Sequence, residues 1–126
     1  MMLPPLLQVA VGGAFGASLR YGANIGIQRF AGSAFPWHTM AINVAGSAAM
    51  GLLMVWLAHR GQMAWAPLLM TGVLGGFTTF SAFSMETLLL IQRGQTAAAA
   101  AYVAGSVLLS LAAFASAAQI ARSLLT

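Results

Sequence analysis

Four stretches of this chain, Met1 to Leu19, Phe30 to His59, Gly61 to Met85 and Gly94 to Ala121, contain no charged residue. Each exceeds the roughly 18 residues that license a membrane-spanning helix. Of the 126 residues 60% are hydrophobic and only 5% charged, against about a quarter charged in a soluble domain. The chain therefore reads as an all-α membrane protein, one domain over residues 1–126 with spans at about 6–28, 37–59, 64–92 and 96–121. Almost nothing is left for a soluble part.

The charges themselves are five isolated arginines, at positions 20, 29, 60, 93 and 122, and one acid, Glu86. A phosphate-binding surface needs clustered cations, so the net charge of +4 does not point to nucleic acid. The absence of cysteine excludes disulfides, thiolate catalysis and sulfur-ligated metals. The N-terminus Met-Met-Leu-Pro-Pro lacks the basic segment of a cleavable signal peptide and reads as the start of the first span.

The third span carries the feature around which the others are arranged. From Gly72 to Ser84 it reads G-V-L-G-G-F-T-T-F-S-A-F-S. Gly72, Gly75 and Gly76 followed by Thr78 and Thr79 set flexible backbone beside β-branched side chains, which weakens a helical ladder. The pattern predicts a break in mid-membrane, and backbone released at that depth needs protein or a polar cavity to satisfy it. Just beyond, Phe80 and Phe83 share one face, with Ser81 and Ser84 beside them. The pair of rings alone would be read as core packing.

The first span opens with Pro4 and Pro5, where proline costs little. Its Gly12 and Gly16, echoed by Gly13 with Ala17 and by Gly22 with Gly26, mark a side along which helices approach closely. Arg20 near its end either snorkels to the interface or pairs inward with a polar group, and the residues leave both readings open. In the second span Trp37 and Trp56 are interfacial aromatics. Asn43 is its one amide in an apolar setting, either an interhelical hydrogen bond or a donor lining a polar path. His38 and His59 flank that span without metal-ligand spacing and read as interfacial. Glu86 lies close to the end of the third span. In the fourth, Tyr102, Ser106 and Ser110 recur every four residues and lay three hydroxyls along one stripe.

If loops alternate sides, Arg29 and Arg93 oppose Arg60 and Arg122, and adding Arg20 makes it three to two, so the bias that normally fixes orientation is almost nil. Such a chain can insert both ways, and an antiparallel pair becomes possible. A path lined by hydroxyl and amide donors, without a cation at its centre, suits a small anion that must bind weakly enough to leave. Asn43, Ser81, Tyr102, Ser106 and Ser110 can each donate to it, and phenylalanine ring edges can add electrostatic contact.

G-G-F-T-T-F-S-A-F-S at Gly75 to Ser84, G-G-A-F-G-A-S-L-R-Y at Gly12 to Tyr21 and N-V-A-G at Asn43 to Gly46 together resemble the bacterial fluoride channel family called Fluc or CrcB. The resemblance implies an antiparallel, dual-topology homodimer in the bacterial inner membrane, with two fluoride pores at the subunit interface. It implies passive export of cytoplasmic fluoride, which enters cells as neutral HF and is trapped when it dissociates. It assigns Phe80 and Phe83 to an aromatic box and Ser81 to the hydroxyl between them. Asn43 becomes a pore donor, and Tyr102, Ser106 and Ser110 a polar track. Arg20 and Glu86 become vestibule or supporting residues, and the main-chain carbonyls of Gly75 and Thr78 ligands of a central Na⁺. Ala82 departs from the pattern, since many relatives carry threonine there. A small multidrug exporter is the rival reading, but it resembles proteins with a carboxylate deep in the first span, which this chain lacks. A membrane scaffold would explain the small residues but not the break beside two rings. An enzyme fits least, because one acid and two scattered histidines build no general acid–base pair.

Overall fold

The computed structural model describes residues 2–126, and among them every regular element is helical. Helix α1 spans Pro5–Ala31 and begins with proline at its first position, where the missing N–H has no partner to lose. It closes at Gly32, whose φ of 75° lets its N–H turn back to Gln28 O at 2.8 Å. Helix α2 spans Trp37–His59. The third segment is divided: a 3₁₀ turn at Met63–Trp65, a π-helix at Pro67–Leu74, a single turn α3 at Gly75–Phe77, and helix α4 at Phe80–Gln92. Helix α5 spans Thr96–Leu125 and completes the chain.

Three helical segments among the described residues, Trp37–His59, Met63–Gln92 and Thr96–Leu125, are long and apolar enough to cross a membrane. Helix α1 is about 40 Å long at 1.5 Å per residue, but Arg20, Asn24 and Gln28 make its second half polar. Side chains such as Phe30, Leu108 and Leu111 lie on the outside rather than the inside. That distribution is the one a protein surrounded by hydrocarbon adopts.

Glycine fixes how the elements dock. A Cβ at Gly12 would run into Leu68 O, and one at Gly16 into Val73 O, so α1 lies directly on the backbone of the π-helix. Gly76 in turn faces Gly13, where a Cβ would come within 2.8 Å of Gly13 O. Gly22 and Gly26 have nothing within 4 Å, so the small-residue contact is confined to the first half of α1. On the other side α2 lies along α5, with Gly51 against the backbone at Phe114. The two helix pairs meet over the interruption between α3 and α4.

Candidate functional site

The interruption is two residues long. Thr78 (φ −86°, ψ 157°) and Thr79 (φ −149°, ψ 123°) are both extended, conformations that β-branched side chains favour. Several of the backbone groups released there are met from elsewhere. Leu74 O accepts from Thr78 N at 3.0 Å and from Thr78 Oγ1 at 2.9 Å. Asn43 of α2 grips both sides of Thr79, its Oδ1 accepting from Thr79 N at 2.8 Å and its Nδ2 donating to Thr79 O at 3.0 Å. Arg20 of α1 donates from Nε to Gly76 O at 3.1 Å. The Thr79 hydroxyl accepts from Ala82 N at 3.1 Å and caps α4. Gly46 makes the fit possible, since a Cβ there would strike the Thr78 methyl.

This pairing frees two particular oxygens. In an unbroken helix Gly75 O would accept from Thr79 N, and Thr78 O from Ala82 N. Asn43 Oδ1 takes the first donor and Thr79 Oγ1 the second. Both carbonyls therefore retain acceptor capacity, and carbonyl oxygen is the ligand a hard cation prefers. The donor set fits such a cation, with further oxygens needed from outside this protomer.

Beside the break runs a groove of about 540 Å³, whose walls include Asn43, Gly75, Thr78, Phe80, Phe83, Ser106 and Ser110. No charged residue lines it. Phe83 is buried and Phe80 is 77% exposed, their ring centroids 5.4 Å apart and their planes tilted by 52°. Ser106 is buried, yet its hydroxyl has no hydrogen-bond partner. A buried donor without a partner costs about 1–3 kcal/mol, so an anion in the groove would relieve a real deficit. Asn43 spends only one of its two N–H groups on Thr79. The groove can thus offer neutral donors and ring edges together.

The remaining residues singled out in the sequence stand off the groove. Ser81 is exposed, with its hydroxyl 3.2 Å from that of Thr79. Tyr102 is fully buried, its ring 5.2 Å from that of Phe83, and its hydroxyl donates to Glu86 Oε1 at 3.3 Å. Of the hydroxyl stripe on α5, only Ser106 and Ser110 reach the groove wall. Arg20, for which two readings stood open, is turned inward onto the break. His38 is a finding of the structure alone: it is buried, and its Nε2 lies 2.9 Å from Glu86 Oε2. No local signal in the sequence links these two residues, because their meeting depends on how α2 and α4 cross α5.

Residues 7–118 match the family model described as CrcB-like protein, Camphor Resistance (CrcB). A protein of Cereibacter sphaeroides named fluoride-specific ion channel FluC is 60% identical over 111 residues, covering 88% of this chain and 89% of the relative. One of the same name from Paracoccus denitrificans is 57% identical over 107 residues, covering 85% and 86%. Another from Ruegeria sp. is 48% identical over 126 residues, covering 99% and 100%. With the glycine-docked break and the identities extending across it, the chain belongs to the CrcB family, in which these FluC proteins stand.

Proposed function

We propose that this chain is a channel, not an enzyme, and that it conducts fluoride passively out of the cytoplasm across the bacterial inner membrane. The observation that carries the reading is the uncharged groove, in which the unpartnered Ser106 hydroxyl lies beside Phe80 and Phe83 in a chain so similar to proteins named as fluoride channels. A bare cation at its centre would hold an anion too firmly for conduction, whereas hydroxyl, amide and ring-edge contacts are individually weak and can be traded one for the next. No energy-coupling step is required. The membrane potential supplies about 2.3 kcal/mol per charge per 100 mV, and it expels an anion that has been trapped by dissociation of HF.

Four spans complete the reading, with α1 as the first. Its Arg20 is turned onto Gly76 O, which removes the charge from contact with lipid. A second, antiparallel copy would close the open side of each groove, giving two pores. The exposed Phe80 ring and the arginine tie both support that arrangement. Gly75 O and Thr78 O of both copies would then hold Na⁺ at the dimer centre, where it would supply a fixed positive charge to two backbones that otherwise turn carbonyls toward each other. Ser81, Tyr102 and Glu86 act around the path rather than on the groove wall. The test is flux from proteoliposomes loaded with potassium fluoride or potassium chloride. A potassium ionophore under an outward potassium gradient makes the interior negative, and fluoride should leave while chloride stays. Equal release of the two halides refutes the selectivity.

A further inference from the structure

His38 takes no part in the groove, yet it is the buried end of a chain of contacts that leads into it. Its Nε2 lies 2.9 Å from Glu86 Oε2, and both side chains are nearly closed off from solvent, at 11% and 12% exposure. The other carboxylate oxygen, Oε1, accepts from Tyr102 OH, and the Tyr102 ring rests 5.2 Å from Phe83, a wall of the groove. Ser106, the orphaned hydroxyl, is one helical turn from Tyr102 on α5, about 6 Å along the axis. Glu86 carries the only carboxylate side chain in the protein, and it is held at the end of the anion's proposed path.

The second nitrogen of His38 is where a proton can be added. Nδ1 is buried and has no partner. A neutral imidazole that donates from Nε2 leaves a bare lone pair at Nδ1, while a protonated ring would leave an N–H there with nothing to meet. With the ring neutral the cluster carries the negative charge of Glu86. Addition of a proton at Nδ1 brings the cluster to zero.

We propose, resting on the channel reading above, that His38 is a positioning residue which makes fluoride flux depend on pH: it orients Glu86, and its protonation cancels the negative charge that opposes an anion at the Phe83 end of the groove. Histidine is the side chain suited to this, since its charge changes between about pH 5 and 8. No other ionisable group competes for the pair. Glu86 of α4 meets His38 of α2 and Tyr102 of α5, and its contact with His38 is the one carboxylate–base pair within 4 Å among the described residues. Arg20 on α1 is engaged with Gly76 O, and Arg29 lies in the last turn of α1. Arg93 caps the end of α4, two turns beyond Glu86, while His59 and Arg60 end α2 and Arg122 ends α5, each at the far end from the cluster.

The experiment measures fluoride release from proteoliposomes between pH 6 and 8, with the HF leak of protein-free liposomes subtracted at each pH. Wild-type flux should rise on acidification by about three- to tenfold, the effect of one unit charge acting across partly screened protein. His38→Gln keeps an N–H for Glu86 but cannot take the proton, so its flux should stay at the alkaline level throughout. Glu86→Gln removes the charge and keeps the acceptor, so its flux at pH 8 should already reach the level that wild type shows only at pH 6. Opposite effects of the two variants, low flux at pH 6 in His38→Gln and high flux at pH 8 in Glu86→Gln, also separate the effect from simple misfolding, which would lower both. Identical pH profiles in wild type and His38→Gln overturn this proposal alone. A wild type that releases no fluoride at any pH overturns the channel reading, and this proposal with it.

Discussion

Phe80 and Phe83 are the same residue type three positions apart, and they occupy opposite environments. Phe83 is 9% exposed and packed between Phe80 and Tyr102, whereas Phe80 is 77% exposed. Replacement by isoleucine should separate packing from conduction. Phe83→Ile removes a buried ring and should cost about 1 kcal/mol of stability, while Phe80→Ile, on the protomer surface, should cost less than about 0.5 kcal/mol. Both should reduce fluoride flux by more than roughly tenfold, equivalent to about 1.4 kcal/mol of barrier. Thermal unfolding in detergent and liposome flux, measured on the same preparations, check the two halves, and undiminished flux in both variants would return the rings to a packing role. Asn43 illustrates the same point differently. As a residue type it announces a polar need in an apolar helix, but the structure spends its amide oxygen and one N–H on Thr79 backbone, so it builds the break before it can serve any ion.

At the scale of elements, the weak point of the third segment is legible where glycine precedes two threonines, and there the backbone does become extended at Thr78 and Thr79. The π-helix at Pro67–Leu74 has no comparable signature in the sequence. Its i to i+5 pattern is rare and arises at functional sites where neighbouring structure holds it, and here α1 lies against it along Gly12 and Gly16. That contact is testable. Gly16→Leu would drive a side chain into Val73 O and should destabilise by about 3 kcal/mol, at the upper end for overpacking. Gly22→Leu, with nothing within 4 Å, should leave the protomer within about 0.5 kcal/mol of wild type. Equal melting temperatures for these two variants would show that α1 does not dock through its first half.

At the scale of the molecule, the exposed Phe80 ring and the nearly balanced arginines both bear on the proposed pair of inverted copies. On the proposed arrangement, the chain inserts either way and an inverted copy closes the open side of its groove. The chain contains no cysteine, so a single cysteine added after Thr126 is a clean reporter. In intact cells about half of the copies should react with a membrane-impermeant maleimide, because a chain with almost no charge bias distributes its termini to both sides. Labelling of nearly all copies, or of none, would establish one orientation and remove the antiparallel pair.

The sequence by itself determined the solvent, the weak point and the inventory. Charge-free runs admit only a bilayer setting, glycine before threonine decides where the helix yields, and the scarcity of ionisable groups leaves few charged side chains for any site. These are properties of neighbouring residues, so they can be read along the chain. Tertiary structure alone decided who meets whom: Arg20 with Gly76, Asn43 with Thr79, and His38 with Glu86 and, through it, Tyr102. Those partners come from separate helices, and their meeting depends on the depth to which bare glycines let the helices sink into one another, which no local pattern encodes.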